Sequence, residues 1–260
     1  AVHQGVRALS GKSRNFKSSQ PTKKENGDMV QSSEELGELW RQFLAGKFAA
    51  TELEAARDAW EPLDKQGSDD GLTYDEYEKA VKHMKTNKAT GPDGIPAEVW
   101  KGSAVANREL FFFLQHVWDQ ECIPKSLVLC LFVMIYKNKG SRDDPDKYRA
   151  LGLLNHSYKI LSVCLLNRMM TETDWFLSEW QAGFRSQRGC RDNVLILRVI
   201  YDQFVKGNKK CVVTFIDFAA AFDSVSHCFL DLTLGKAKAS RKTRAMFREI
   251  YRAAQGAARH

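Results

Sequence analysis

Asp217 stands where an apolar run rich in strand-forming residues, Cys211–Val212–Val213–Thr214–Phe215–Ile216, gives way to a small-residue turn and a second carboxylate, Asp223. Such a run predicts a buried strand. A carboxylate at the end of a buried strand is held rigidly, and rigidity is what metal-assisted phosphoryl transfer requires of a metal ligand. An Asp at a strand end also caps the turn that follows it, and the local pattern fits both roles. Asp223 fits better as the cap of a helix opening at Ser224–Val225, because its carboxylate can accept from free N–H groups of the first turn.

The elements that must position Asp217 are legible as periodic segments. Residues 1–33 are polar and basic, rich in Ser, Lys, Gln and Gly, and are expected to be a disordered tail or linker. Ser32–Ser33–Glu34–Glu35 opens a helix with Leu36, Leu39, Trp40 and Phe43 at helical spacing. A polar break at 64–71 lacks the ligand pattern of a calcium loop. Thr73–Met84 reads as a helix with Tyr77, Ala80, Val81 and Met84 on one face. Glu109–Gln120 reads as another, carrying Leu110, Phe113, Leu114, Val117 and Trp118. Leu127–Tyr136 suits a strand buried on both faces. Helices are expected near 157–170 and 190–206, and a last one carries Phe247, Ile250 and Tyr251. Six tryptophans lie mostly on helix faces with other apolar residues, which favours core packing over base stacking. Interleaved helices and strands point to an α/β or α+β class.

Lys and Arg number 39 against 32 Asp and Glu, a net +7 that is compatible with a polyanionic partner without demonstrating one. From Gly235 onward eight basic residues face only Glu249, a run that fits a solvated helix face as well as a nucleic-acid track. The six cysteines are dispersed, with no Cys-x-x-Cys pair, and read as free thiols in a reducing compartment. Leu127–Tyr136 is too short to span a bilayer, and no membrane partner is expected.

Three further segments, taken in order with the Asp217 run, carry a family resemblance. The first is Lys88–Ala89–Thr90–Gly91–Pro92–Asp93–Gly94–Ile95–Pro96, a loop with two glycines and two prolines. Next come Ile135–Tyr136–Lys137–Asn138–Lys139–Gly140, Tyr148–Arg149, Leu153–Leu154 and Lys159–Ile160. The third is Gln181–Ala182–Gly183–Phe184–Arg185 with Arg188–Gly189 and Asp192–Asn193. Together they resemble the reverse transcriptases of non-LTR retrotransposons over about 34–260, nearly everything except the tail.

The resemblance implies an α+β partial right-hand polymerase, its fingers and an incomplete palm, preceded by a mostly helical part. Residues 34–86 would be a helical N-terminal extension and 87–260 the reverse transcriptase domain, cut before the second catalytic motif. It implies that Asp217 is catalytic and binds Mg²⁺, helped by the backbone carbonyl of Phe218, in two-metal nucleotidyl transfer. Arg149, with Lys137 or Lys139, would grip the incoming deoxynucleoside triphosphate. Phe222 would exclude a ribose 2′-hydroxyl, Gln181 would line the nucleotide site, and Gly183 and Arg185 would meet the template. The implied partners are an RNA template and a DNA primer or target, in nucleus or cytoplasm. The family usually carries Pro where Ala150 stands, so the turn that aims Arg149 is expected to be looser here. The family's aromatic-x-Asp-Asp hairpin is not found after Asp217. The polypeptide is therefore expected to be a fragment without polymerase activity of its own, with an unpaired palm edge and poor solubility. The rival expectation is a non-catalytic relic that at most binds RNA.

Overall fold

Leu36, Trp40 and Leu44 recur every four residues, and they are the buried stripe of α1 (Ser33–Phe48). The computed structural model describes residues 28, 30–48, 60, 63, 70–218, 221, 222 and 225–259. The basic tail before residue 28, the polar break at 64–69 and Asp223 lie outside the described residues. α2 (Tyr74–His83) starts on a capping box, in which the Thr73 hydroxyl accepts from the Glu76 N–H and the Glu76 carboxylate accepts from the Thr73 N–H. After the loop at 84–96 come α3 (Ala97–Gly102) and α4 (Ala104–Gln120). Glu121, at φ 50°, ends α4 in the left-handed conformation. A single turn, α5 (Lys125–Val128), leads into β1 (Leu129–Tyr136), β2 (Tyr148–Leu154) and α6 (His156–Thr173). The chain ends in α7 (Cys190–Lys206), α8 (His227–Lys236), α9 (Arg241–Ala253) and β3 (Gln255–Arg259). Helices and one small sheet make a mixed α+β arrangement.

One core gathers Tyr77, Ala80 and Val81 of α2, Leu110, Leu114 and Trp118 of α4, Ile160, Leu161 and Cys164 of α6, and Met246 of α9. Arg168 of α6 ties it together. Its guanidinium spans both Glu76 oxygens at 2.5 and 2.7 Å, donates to the Asp70 and Gly71 carbonyls, and lies 4.6 Å from the centre of the Trp118 ring. Burial pushes the Glu76 carboxyl upward, but hydrogen bonds from Arg168 and Thr73 outweigh it and hold the pKa at about 2.

The sheet runs β2–β1–β3, with β1 antiparallel to β2 and parallel to β3. Its Phe132, Met134, Tyr136, Tyr148 and Ala150 face pack under α1, with the Trp40 and Tyr148 rings 5.2 Å apart.

Four expectations are corrected. The segment Leu127–Tyr136 divides into the turn of α5 and the strand β1, most of whose residues are half-buried, since α1 covers one face only. Phe111, not Phe113, is the buried phenylalanine of α4, and Phe113 is exposed. Residues 211–218 take no regular secondary structure and are exposed. The reason is a lack of partners: β2 and β3 occupy both edges of β1, and no described strand pairs with 211–218. The helix expected at Ser224 begins at His227, where the Ser226 hydroxyl accepts from the Phe229 N–H.

The C-terminal basic run is split: Lys236, Lys238 and Arg252 are exposed, while Arg241, Lys242, Arg244 and Arg248 are paired with carboxylates. Asp231, 1% exposed, takes hydrogen bonds from Arg244 and Arg248 at 2.8 and 2.6 Å. Glu121 pairs with Arg241 and with buried Lys242. Glu172 accepts from the Ser240 N–H and the Thr243 hydroxyl at the start of α9. Arg241, Lys242, Arg244 and Arg248 thus fasten α9 to Glu121 at the end of α4 and to α8, while Ser240 and Thr243 fasten it to α6. All six cysteines are free thiols, and among the described residues no helix is long and apolar enough to cross a membrane.

Candidate functional site

Alternation along β1 and β2 decides where the basic residues go. Register pairs Ile135 with Arg149 and Tyr136 with Tyr148. Tyr148 and Ala150 point into the core under α1, so Arg149 lies on the opposite face, and it is exposed. Ala150 is a strand residue opposite Met134. Arg149 is thus aimed by a paired strand rather than by a turn, which corrects the expectation drawn from the missing Pro. The Lys137 N–H donates to the Lys147 carbonyl at 2.8 Å, closing the hairpin, and its ammonium donates to the Asp146 carbonyl at 2.8 Å. Lys139 is exposed in the connecting loop. That loop turns at Asn138 (φ 56°) and Gly140 (φ 87°). It is laced by the Tyr136 hydroxyl on the Gly140 carbonyl (2.6 Å) and the Tyr148 hydroxyl on the Arg142 carbonyl (2.9 Å).

At the far end of the hairpin sits a residue pair that sequence reading missed. Asn155 and His156, both buried, receive the Gly91–Pro96 loop. The Asp93 N–H donates to Asn155 Oδ1 at 3.1 Å, and His156 Nδ1 meets the Ile95 carbonyl at 3.1 Å. A side chain at Gly91 would put its Cβ 2.4 Å from the Asn155 backbone nitrogen, so only glycine allows this approach. The signal was present in the loop's paired glycines and prolines, but its partner lies some sixty residues away.

The third block folds back on itself. Arg185 donates to both Asp174 oxygens at 2.8 and 3.1 Å and to the Asp174 and Ser178 carbonyls. Its guanidinium is thus committed to its own chain, and the Asp174 carboxyl is held below its usual range by that hydrogen bonding. The Gln181 N–H donates to the Ser178 carbonyl at 3.0 Å. Gly183 has open space where a Cβ would stand. Phe184, at φ 56° and exposed, meets the Phe222 ring edge-on at 5.9 Å. That contact joins the third block to the Asp217 block. Asp217 and Phe218 themselves are exposed. Among the described residues no group of three or more His, Cys, Asp or Glu could hold a metal ion.

Residues 135–259 match the family model described as reverse transcriptase (RNA-dependent DNA polymerase). That stretch contains Lys137, Arg149, the Gln181–Arg185 block and Asp217. Among the proteins the chain is similar to are RNA-directed DNA polymerases and Pol polyproteins of mobile and retrotransposable elements. It is 26% identical over 218 residues to the probable RNA-directed DNA polymerase from transposon BS of Drosophila melanogaster, covering 80% of this chain and 24% of that protein. It is 27% identical over 161 residues to the RNA-directed DNA polymerase from mobile element jockey of the same species, covering 60% of this chain and 17% of that protein. Identity to the retrovirus-related Pol polyprotein from type-2 retrotransposable element R2DM is 25% over 163 residues, covering 61% and 15%. The chain thus spans about a quarter or less of the length of these relatives.

Proposed function

We propose that these residues are the fingers and the start of the palm of a non-LTR retrotransposon reverse transcriptase, a part of a longer RNA-directed DNA polymerase. Arg149 contacts the triphosphate of an incoming deoxynucleotide, and Lys137 and Lys139 line the same end of the hairpin. Phe222 stands against the sugar and disfavours a 2′-hydroxyl, with Phe184 behind it. Asp217, with the Phe218 carbonyl, is one ligand toward the divalent ions, Mg²⁺ in this reading, that enzymes of this family use. Two divalent cations repel each other and need several carboxylates to offset that repulsion. The described residues offer Asp217 without the partners such a centre needs, so we assign no chemical step to this polypeptide by itself. RNA template and DNA primer are the partners this reading implies, in nucleus or cytoplasm.

The observation that carries the proposal is the exposed Arg149 on the hairpin face turned away from α1, inside the segment that matches the family model. The test is titration of the 260-residue chain with dTTP and Mg²⁺. Binding should weaken about tenfold in Arg149→Ala, the size expected for one lost charge-assisted contact. Binding unaffected by that change would sink the assignment. Mg²⁺-dependent primer extension by the purified chain would overturn the claim that it holds only part of the centre. RNA binding that falls steeply with salt, without any dTTP binding, would favour a relic that only binds RNA.

A further inference from the structure

The geometry points to Asn155 as a positioning residue that sets the register of the β1–β2 hairpin and so decides which way Arg149 faces. It rests on the reading of Arg149 as a triphosphate contact. Asn155 occupies the N-cap of α6, where an Asn side chain ordinarily accepts from the helix's first N–H groups. Here it makes no such bond. Instead its Nδ2 donates to the Ser126 carbonyl at 2.9 Å and the Leu127 carbonyl at 3.2 Å, while Oδ1 accepts from the Asp93 N–H at 3.1 Å. Both amide protons are spent, and the side chain is buried at 3% exposure.

The partners define what this bonding does. Ser126 and Leu127 lie just before β1, and Asn155 follows the last residue of β2. The ladder begins at Cys130 opposite Leu154. One amide therefore staples the open end of the hairpin, at the opposite end from its Gly140 turn. A slip of one residue in such a ladder exchanges the two faces. Arg149 would then point at Trp40 beneath α1, and Tyr148 would point to solvent. The Gly91–Pro96 loop completes the staple. The Asp93 N–H fixes the amide's orientation, and the bare Cα of Gly91 admits the Asn155 backbone. The loop thus supports the nucleotide site without touching it.

The test uses the 260-residue chain and two readouts. In Asn155→Ala, amide exchange in 130–136 and 148–154 should quicken about tenfold while that of Leu110–Trp118 in α4 stays unchanged. dTTP binding with Mg²⁺ should weaken about tenfold, and the Asn155→Ala/Arg149→Ala double variant should bind no worse than Arg149→Ala alone. Asn155→Asp keeps the acceptor and loses the two donors, and it should show the same pattern if the alanine variant folds poorly. Exchange that quickens equally in α4 and the hairpin would reduce Asn155 to an ordinary core residue and overturn the inference. Additive losses in the double variant would do the same. If the wild-type chain fails to bind dTTP, the Arg149 reading falls, and the exchange pattern still decides the staple.

Discussion

β1, the eight residues Leu129–Tyr136, and the equally long stretch Cys211–Phe218 are both rich in β-branched and aromatic side chains. They end up in opposite states. β1 has β2 along one edge, β3 along the other and the Trp40 side of α1 over one face. Cys211–Phe218 has no ladder partner among the described residues, and Phe215 and Ile216 are 83% and 78% exposed. α7, just before it, shares that condition, with Val194, Leu195 and Val199 exposed. The contrast teaches that a strand is made by what pairs with it and covers it, while propensity only makes a segment eligible.

The contrast can be broken from the packed side first. Trp40→Ala removes the cover of the hairpin and should cost about 3–5 kcal/mol in urea unfolding. It should also leave β1 as open to amide exchange as 211–218. A loss under 1 kcal/mol would mean that α1 does not hold the sheet. Next in size is Glu76→Gln, which leaves Arg168 part-buried without its charged partner and should cost about 1.5–3 kcal/mol at neutral pH. Its pH dependence has a definite sign. The Glu76 carboxyl is lowered from 4.5 to about 2 in the folded chain. Its contribution is therefore whole above about pH 4.5 and drains away as pH falls toward 2. The gap between wild type and variant should close over that window, and a gap that stays constant would refute the coupling.

Gly91→Ala forces a Cβ against the Asn155 backbone and should cost about 1–3 kcal/mol, read as a lowered Tm. Smallest of all, Phe215→Ser should change stability by no more than about 0.5 kcal/mol, because its ring contributes nothing to a described core. It should also reduce self-association in sedimentation. A loss above 2 kcal/mol would show that Cys211–Phe218 has a partner after all.

Much of the helical architecture was legible because it is local. The stripe Leu36–Trp40 and the Tyr77–Ala80–Val81 face both follow from spacing within a turn or two. The motif singled out Arg149, but not what supports it. A turn was expected to aim it, whereas alternation on a paired strand does so. Asn155, Arg168 and Asp231 carried no readable signal. Each acts through partners on other elements, as with Arg168 and Glu76, which are 92 residues apart. The pairing of Arg241, Lys242, Arg244 and Arg248 was hidden for the same reason: net charge along a sequence does not reveal which carboxylates will fold against it.

The sequence by itself determined which segments can be helices, which octapeptides are apolar enough to be strands, and which family the motifs resemble. Tertiary structure alone decided which of the two apolar stretches became a strand, which face Arg149 took, and that Arg185 was turned to Asp174. Those choices depend on long-range competition for a limited set of edges, faces and charges. β3 takes the free edge of β1, and Cys211–Phe218, with Asp217 on it, is left without one among the described residues.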